Sequence, residues 1–150
     1  MWVERLPNGH WALHVHIADV SYYVRPGSPI DREALLRGTS VYFPDRAVPM
    51  LPVELSTDRC SLRPHEDRLV MSALLEIDNH GDVVAQDFRR GVIRSAERMT
   101  YTAVHKVLEG DPELNARYAP LVPRFKMMRD LALLLNKKRQ RRGSIDFDLP

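Results

Sequence analysis

Alternating apolar and polar positions along the chain predict two β-hairpins. In the first, residues 2–6 and 11–17 form strands around an Asn-Gly dipeptide, which favours a tight turn because both residues tolerate positive φ. In the second, residues 69–77 and 83–93 form strands on either side of a short turn. One face of the first hairpin should be buried, because its second strand places apolar residues at every other position: Leu13, Val15 and Ile17.

Three helices are predicted between and after these hairpins, each followed by a glycine that ends it. Residues 28–37 begin with Ser-Pro, in which the serine can cap and the proline fits the first helical position. Residues 100–108 form a second helix, and a short strand (40–43) and a proline-rich loop (44–52) precede it. The third helix, 119–142, carries an apolar stripe of Leu121, Phe125, Met128, Leu131 and Leu135.

These elements predict an α+β fold in which mixed or antiparallel sheet hairpins pack with helices. The chain has 150 residues, which is enough for one domain or for a piece of a larger one. Its 44% apolar and 28% charged residues are typical of a soluble globular protein, and no run of about 18 apolar residues predicts a membrane span. The single cysteine, Cys60, cannot form an internal disulfide, which fits a reducing compartment, so we expect a cytoplasmic protein.

Basic residues are concentrated towards the end of the long predicted helix. Residues 124–142 contain eight basic residues and one acid, Asp130, whereas the rest of the chain has 14 basic and 19 acidic residues. The segment closes with Lys-Lys-Arg-Gln-Arg-Arg at 137–142. This run has two interpretations, a solvated helix end and a contact with the phosphates of a polyanion.

His14 and His16 are the first candidates for chemistry. Two histidines two positions apart on a strand share a face, a pairing that zinc uses, and Asp19 follows them. Further ligands with a suitable spacing are missing from the sequence. The alternative interpretation is a polar or partly buried strand face, with Asp19 orienting the next loop through backbone hydrogen bonds.

Asp146 and Asp148 are a second candidate, because paired carboxylates can hold Mg²⁺. They alternate with apolar residues, so the alternative is a strand whose polar face points outward. Cys60 is a third candidate, as a nucleophile. No family-specific context surrounds it, and a lone buried thiol is the common outcome.

The segment Arg37–Pro44 places two adjacent aromatic residues, Tyr42 and Phe43, at the end of a short strand. Exposed aromatic rings beside arginines can stack on nucleobases. Taken alone, the pattern is equally compatible with packing in a core.

Seven strings of residues match one family together, in their order and spacing. They are His16–Val24, Arg37–Pro44, Pro49–Pro52, Leu55-Ser56, Cys60–Leu62, Asp67-Arg68 and Arg98–Tyr101. Together they resemble the catalytic (RNB) domain of the ribonuclease II and ribonuclease R family, most closely its ribonuclease R branch. The resemblance covers essentially the whole chain, and the joint match is highly specific.

This resemblance implies an enzyme that hydrolyses RNA processively from the 3′ end and releases nucleoside 5′-monophosphates. It also implies Mg²⁺, because two ions held by clustered aspartates activate water and stabilise the leaving oxygen in the family. Those aspartates belong to a string ending Asp-Phe-Asp-Asp-Ala, just before the strand that starts here at Trp2. Met1 stands where that string should have just finished. We therefore expect no metal-binding carboxylates in this chain and no specific Mg²⁺ binding by it.

Both ends of the chain fall within predicted strands, the last of them over residues 144–149. Together with the resemblance, this predicts that residues 1–150 are the N-terminal part of an RNB catalytic domain, truncated at both ends. The expected partners are single-stranded RNA, the remainder of the catalytic domain and the RNA-binding domains of the complete enzyme. No membrane partner is expected.

Two residues take roles from the family. Tyr42 matches a tyrosine that stacks on the RNA near its 3′ end and sets the length of the limit product, and Tyr101 matches a second tyrosine near the RNA path. No catalytic residue is transferred. We expect the parent to be a 3′–5′ exoribonuclease and this chain alone to be inactive. The alternatives are a non-catalytic RNA-binding or scaffold fragment, and a zinc module built on His14 and His16.

Overall fold

A computed structural model describes residues 1–144 of the protein. The strands are β1 (Trp2–Arg5), β2 (Trp11–Ala18), β3 (Val41–Tyr42), β4 (Ala47–Val48), β5 (Asp67–Ile77) and β6 (Val83–Arg94). The helices are α1 (Val20–Tyr23), α2 (Pro29–Arg37), α3 (Tyr101–Glu109), α4 (Pro112–Arg117) and α5 (Val122–Arg141). A π-helical turn spans Leu55–Arg59.

The strands form two sheets. The larger one has the order β1-β2-β5-β6, and the smaller one consists of β3 and β4. The predicted first hairpin is confirmed: Val3 lies opposite Leu13 in an antiparallel pair. In its turn Gly9 takes a positive φ of +81°, whereas Asn8 does not. The sequence-based expectation of an α+β fold with antiparallel hairpins and helices is confirmed.

Among the described residues, the first of two compact units is built from Met1–Val15, Ala73–Phe88 and the segment from Met99 onward. Helix α5 packs against β1 in this unit. Leu131, Met128 and Leu135 of the predicted stripe take part in this packing, so the strands of the unit cover this part of the stripe. The buried core of this unit is formed by Val3, Trp11, Ile77 and Leu131.

The second unit consists of His16–Ser72 and Arg89–Arg98. Val70 is fully buried in it, and two polar side chains, Asp19 and Ser72, are buried as well. Polar groups in an interior have to be hydrogen-bonded: Asp19 bonds to Ser21 and Arg90, and Ser72 bonds to His16.

Helix α2 of the second unit begins as the sequence predicts. The Ser28 Oγ accepts a hydrogen bond from the Asp31 amide at 3.2 Å, and Gly38 ends the helix at φ +69°. The Asp31 carboxylate accepts from the Gly27 amide at 2.8 Å, one residue before the position that a capping box requires.

Several sequence-based expectations differ from the structure. Ile17 is 65% exposed, because the buried face of β2 is limited to the part near Trp11 and Leu13 that packs with the first unit's core. The predicted loop 44–52 contains strand β4. Helices α1 and α4 were not predicted, and the strand predicted over residues 144–149 lies outside the described residues except for Ser144.

Within residues 1–144, none of the helices has both the length and the apolar character that crossing a membrane requires.

Candidate nucleic-acid interface

The hairpin of β3 and β4 presents an aromatic ring to solvent. Val41 pairs with Val48 and Tyr42 pairs with Ala47, so the two pairs lie on opposite faces of the hairpin. Because the partner of Tyr42 is only an alanine, nothing large covers the phenol ring across the strand pair. The ring is 80% exposed.

Polar contacts fix this hairpin within the second unit. The Ser40 Oγ, just before β3, accepts a hydrogen bond from the Met50 amide, just after β4, at 2.9 Å. At the end of α2, the Arg37 guanidinium pairs with Glu33 at 2.9 Å and donates to the Pro49 carbonyl at 3.3 Å. The Tyr42 ring is therefore carried by a hairpin that is tied at its base and to the neighbouring helix.

A second aromatic ring lies at the turn of the hairpin. The Phe43 amide donates to the Arg46 carbonyl at 2.7 Å and closes the turn. The Arg46 guanidinium lies 5.1 Å from the centroid of the Phe43 ring, within the range of a cation–π contact. The hairpin therefore combines an exposed ring with a nearby cation, the two features that base stacking and phosphate contact require.

A groove of about 420 Å³ lies between α2 and the segment after β4. Its walls are mainly apolar, and Glu33 and Arg37 lie at its polar side. The groove residues from the second segment are Pro49, Met50, Leu51, Pro52 and Val53. They include the Pro49–Pro52 string on which the family resemblance partly rests.

Tyr101 is the first residue of α3 in the first unit, and it is 99% exposed. The preceding Thr100 caps the helix, since its Oγ1 accepts from the Ala103 amide at 3.2 Å. Val107, two turns further along, is buried and anchors the helix. Tyr42 and Tyr101 belong to different units, and both rings are open to solvent.

The His14 and His16 pair is not part of a metal centre among the described residues. The Nδ1 of the half-buried His16 lies 2.8 Å from the Ser72 Oγ, which gives the buried Ser72 hydroxyl a partner. His14 lines a shallow depression between neighbouring strands of the first unit. No three His, Cys, Asp or Glu side chains within residues 1–144 come together as metal ligands.

Asp19 has a structural role that differs from the predicted one. Its carboxylate is 5% exposed, and it accepts a hydrogen bond from the Ser21 hydroxyl. The Arg90 guanidinium pairs with the other carboxylate oxygen at 3.3 Å. The carboxylate thus bonds to side chains rather than to backbone amides, and it connects the end of β2 to β6 within the second unit.

Cys60 does not have the environment of an activated nucleophile. It follows the π-helical turn, and its amide donates to the Leu55 carbonyl at 2.8 Å. Partial burial, and secondarily the negative charge of Asp19, raise the pKa of the Cys60 thiol above its ordinary value. A raised pKa lowers the fraction of thiolate, which is the reactive form.

The basic residues at the end of α5 are partly engaged in structure. The Lys138 ammonium pairs with Asp82 at 2.7 Å, and the Arg141 guanidinium donates to the His80 carbonyl at 3.1 Å.

The candidate Mg²⁺ carboxylates, Asp146 and Asp148, lie outside the described residues.

The residues that position Tyr42 were missed by sequence reasoning. A serine next to a strand commonly bonds a nearby backbone group, so Ser40 could have been noticed. Its partner, Met50, lies ten positions away and carries no such signal. Arg37 was noted only as a neighbour of the aromatic residues, although its contact with Pro49 ties the hairpin to α2.

Comparison with known proteins adds a family and solved relatives. The chain matches the family model described as RNB domain over residues 1–150. Ribonuclease R from Aquifex aeolicus is 48% identical over 148 residues, covering 99% of this chain and 21% of that protein. Mycoplasma genitalium RNase R in complex with ribose-methylated single-stranded RNA is similar in structure, with a TM-score of 0.84 and 34% identity over 97% of this chain and 22% of that one.

The same Mycoplasma genitalium RNase R in complex with double-stranded RNA gives a TM-score of 0.85 with 34% identity. That match covers 97% of this chain and 26% of the other. The chain therefore spans about a fifth of the length of the curated relative and about a quarter or less of the solved ones.

Proposed function

The chain belongs to the RNB domain family, and on that basis we propose that it is the N-terminal part of the catalytic domain of an exoribonuclease. In this proposal the complete protein hydrolyses single-stranded RNA processively from the 3′ end and releases nucleoside 5′-monophosphates. The similarity to ribonuclease R proteins over nearly the whole chain supports it. The part played by the described residues is to contact the RNA.

One observation carries this role, the exposed ring of Tyr42 on its anchored hairpin. An aromatic ring held in water leaves apolar surface unburied, and its π-face is available to a base. Stacking on a base contributes about 1–3 kcal/mol and tolerates any sequence, because every base has a π-face. A processive nuclease needs such sequence-independent contacts at each step along the strand.

We propose a second contact at Tyr101. Its ring is almost completely exposed at the first turn of α3, where neither its own helix nor a neighbouring element covers it. The Thr100 cap fixes the start of that helix and hence the position of the ring.

The family resemblance also implies Mg²⁺ in the complete enzyme, where it activates water and stabilises the leaving oxygen. The part of the chain that the structure describes brings no three potential ligands together, so these residues do not fit that cofactor. The sequence also contains no Asp-Phe-Asp-Asp-Ala string. Binding RNA is therefore the step that we assign to this chain.

RNA binding can be measured by the fluorescence anisotropy of a 5′-labelled single-stranded RNA. We expect Tyr42→Ala to raise Kd by about 5- to 150-fold, which corresponds to the loss of one stacking contact. Tyr22→Ala is the matched control, since Tyr22 is also exposed but lies outside the hairpin. Equal affinities for Tyr42→Ala and the unchanged chain would assign Tyr42 to another role.

A second measurement separates binding from hydrolysis. With Mg²⁺ present, we expect the chain alone to bind the labelled RNA and to leave its length unchanged. In a longer ribonuclease that contains this chain, Tyr42→Ala should change the length of the smallest product while turnover is largely retained. Progressive shortening by the purified chain, free of contaminating nuclease, would contradict the division of roles.

A further inference from the structure

The C-terminal end of α5 is the most strongly charged surface among the described residues. We call it the basic helix end and define it by its five cations: Lys137, Lys138, Arg139, Arg141 and Arg142. No acidic residue follows Asp130 in the helix. Outside residues 124–142 the sequence has more acidic than basic residues, so the positive charge is local.

The basic helix end is held in place by the turn between β5 and β6. The Lys138 ammonium donates to the Gly81 carbonyl and pairs with the Asp82 carboxylate, both at 2.7 Å. The Arg141 guanidinium donates to the His80 carbonyl at 3.1 Å. The approach is close, because a Cβ on Gly81 would lie 3.3 Å from the Lys138 Cδ. The cations therefore project from a fixed helix end.

The two carboxylates of the turn between β5 and β6 are already engaged. Asp82 pairs with Lys138, and Asp78 accepts hydrogen bonds from the His80 and Asp82 amides at 2.8 Å. Asp82 thus neutralises one of the five cations, Lys138. Within residues 1–144, the side chains of Lys137 and Arg142 have no described partner.

The helix dipole explains only part of this arrangement. Cations in the last turn stabilise a helix by about 0.3–1 kcal/mol each, but five of them within six positions also repel one another. A polyanion removes that repulsion. Lys137 and Arg142 are about 7.5 Å apart along the helix axis, which exceeds the rise of about 3.4 Å per nucleotide of a stacked strand. The two side chains can therefore reach different phosphates.

We propose that the basic helix end binds the phosphate backbone of RNA, with Lys137 and Arg142 each contacting a phosphate. This inference rests on the proposed function, which supplies RNA as the polyanion, and it adds a contact that is separate from Tyr42 and Tyr101. Phosphate contacts bind without regard to sequence, and their strength falls as salt rises because bound counterions are released.

The test measures the affinity for a labelled single-stranded RNA between about 50 and 200 mM KCl. The double variant Lys137→Gln, Arg142→Gln should reduce the slope of log K against log[salt] by about 1.4, since each lost contact with a single strand removes about 0.7. At about 0.1 M salt, this corresponds to a roughly 25-fold higher Kd. The charge-preserving variant Lys137→Arg, Arg142→Lys should keep the original slope.

The matched control is Lys106→Gln, Lys126→Gln, which removes two exposed lysines from α3 and α5 of the same unit. We expect its slope to equal that of the unchanged chain. The proposal is overturned if both glutamine variants give the same affinity and slope. A second result would also overturn the proposal: labelled polyglutamate binds the unchanged chain as tightly as RNA does, and the Lys137→Gln, Arg142→Gln variant no longer binds it. The surface would then fit an acidic protein.

The Tyr42→Ala variant separates this inference from the proposed function. If the unchanged chain binds RNA and Tyr42→Ala weakens it while the basic helix end variant does not, only the present inference fails. If the unchanged chain does not bind RNA at all, both fail.

Discussion

The two compact units of the protein are stabilised by different kinds of contact. The first unit buries large apolar side chains where α5 packs on its strands: Val3, Trp11, Ile77 and Leu131. The second unit buries Val70, but its interior also contains Asp19 and Ser72. Apolar burial contributes about 25 cal/mol per Å², whereas a buried polar group stabilises only when its hydrogen bonds are satisfied.

The second unit also leaves many large apolar and aromatic side chains in solvent. They are Ile17, Tyr22, Leu35, Leu36, Val41, Tyr42, Phe43, Val48, Val53, Met71 and Val92. Its segments are held instead by ion pairs, such as Asp19 with Arg90 and Asp67 with Arg94. The second unit thus exposes more of its large apolar side chains than the first, whose exposed ones include Tyr101 and Leu133.

The largest expected effect is in the first unit. Leu131→Ala removes a core side chain that is 2% exposed, so we expect the free energy of unfolding to fall by about 2–5 kcal/mol. The control is Leu133→Ala on the same helix, which is 54% exposed and should change stability by less than about 0.5 kcal/mol. Urea unfolding measures both. Similar losses for the two variants would contradict the assignment of the core.

Asp19→Asn tests the polar interior of the second unit. The substitution removes the charge that pairs with Arg90, and a hydrogen bond to a charged group contributes about 1.5–3 kcal/mol. Arg90 is exposed, so we expect a loss of about 1–3 kcal/mol. Asp67→Asn breaks a solvent-exposed pair and should cost clearly less than Asp19→Asn. Urea unfolding measures both variants. An equal fall in the free energy of unfolding would contradict a larger contribution from the buried Asp19 carboxylate.

Tyr42→Ala should leave the free energy of unfolding within about 0.5 kcal/mol of the unchanged chain, because the ring is in solvent. The same variant should weaken RNA binding, so stability and binding are expected to separate at this position. A thermal melt recorded beside the anisotropy measurement checks this. A loss of stability of more than about 1 kcal/mol would show that the ring has a packing role.

Acid should weaken contacts in both units. Hydrogen bonds from Asn8 and His10 lower the pKa of Glu76, and the hydrogen bond and charge of Arg94 lower the pKa of Asp67. A carboxyl whose folded pKa is lowered stabilises the fold above its unfolded pKa, about 4, and this contribution is lost as pH falls through the folded value. The urea midpoint should therefore be lower at pH 3 than at pH 6. Glu76→Gln should reduce this difference, and an unchanged pH dependence would contradict it.

Local patterns predicted most of the regular elements. The Asn-Gly turn set the first hairpin, and Ser28 and Gly38 marked the two ends of α2. These signals succeed because caps and turns depend on residues that are adjacent in sequence. Strand β4 has only two residues, Ala47 and Val48, so its alternation is too short to detect. Ile17 continues the apolar alternation of β2 but is exposed, which the local pattern does not reveal.

The candidate site was predictable in its chemistry but not in its geometry. The sequence left Tyr42 open between stacking and packing, and the exposure of the ring depends on its pairing with Ala47. The zinc interpretation of His16 lacked the information that Ser72 lies beside it, 56 positions away. Such distant pairings depend on strand order, which no single local pattern specifies.

The discontinuous first unit has a consequence for synthesis of the protein. Its core joins Val3, near the start of the chain, to Leu131, near the end of the described residues. At about 5–20 residues per second, the ribosome reaches Leu131 on the order of ten seconds after Val3. During that interval Trp11 and Ile77 have no α5 to cover them, whereas the segments of the second unit are already complete. The first unit is therefore the later one to close during translation, and its apolar strands are the part of the nascent chain that chaperones have the longest opportunity to bind.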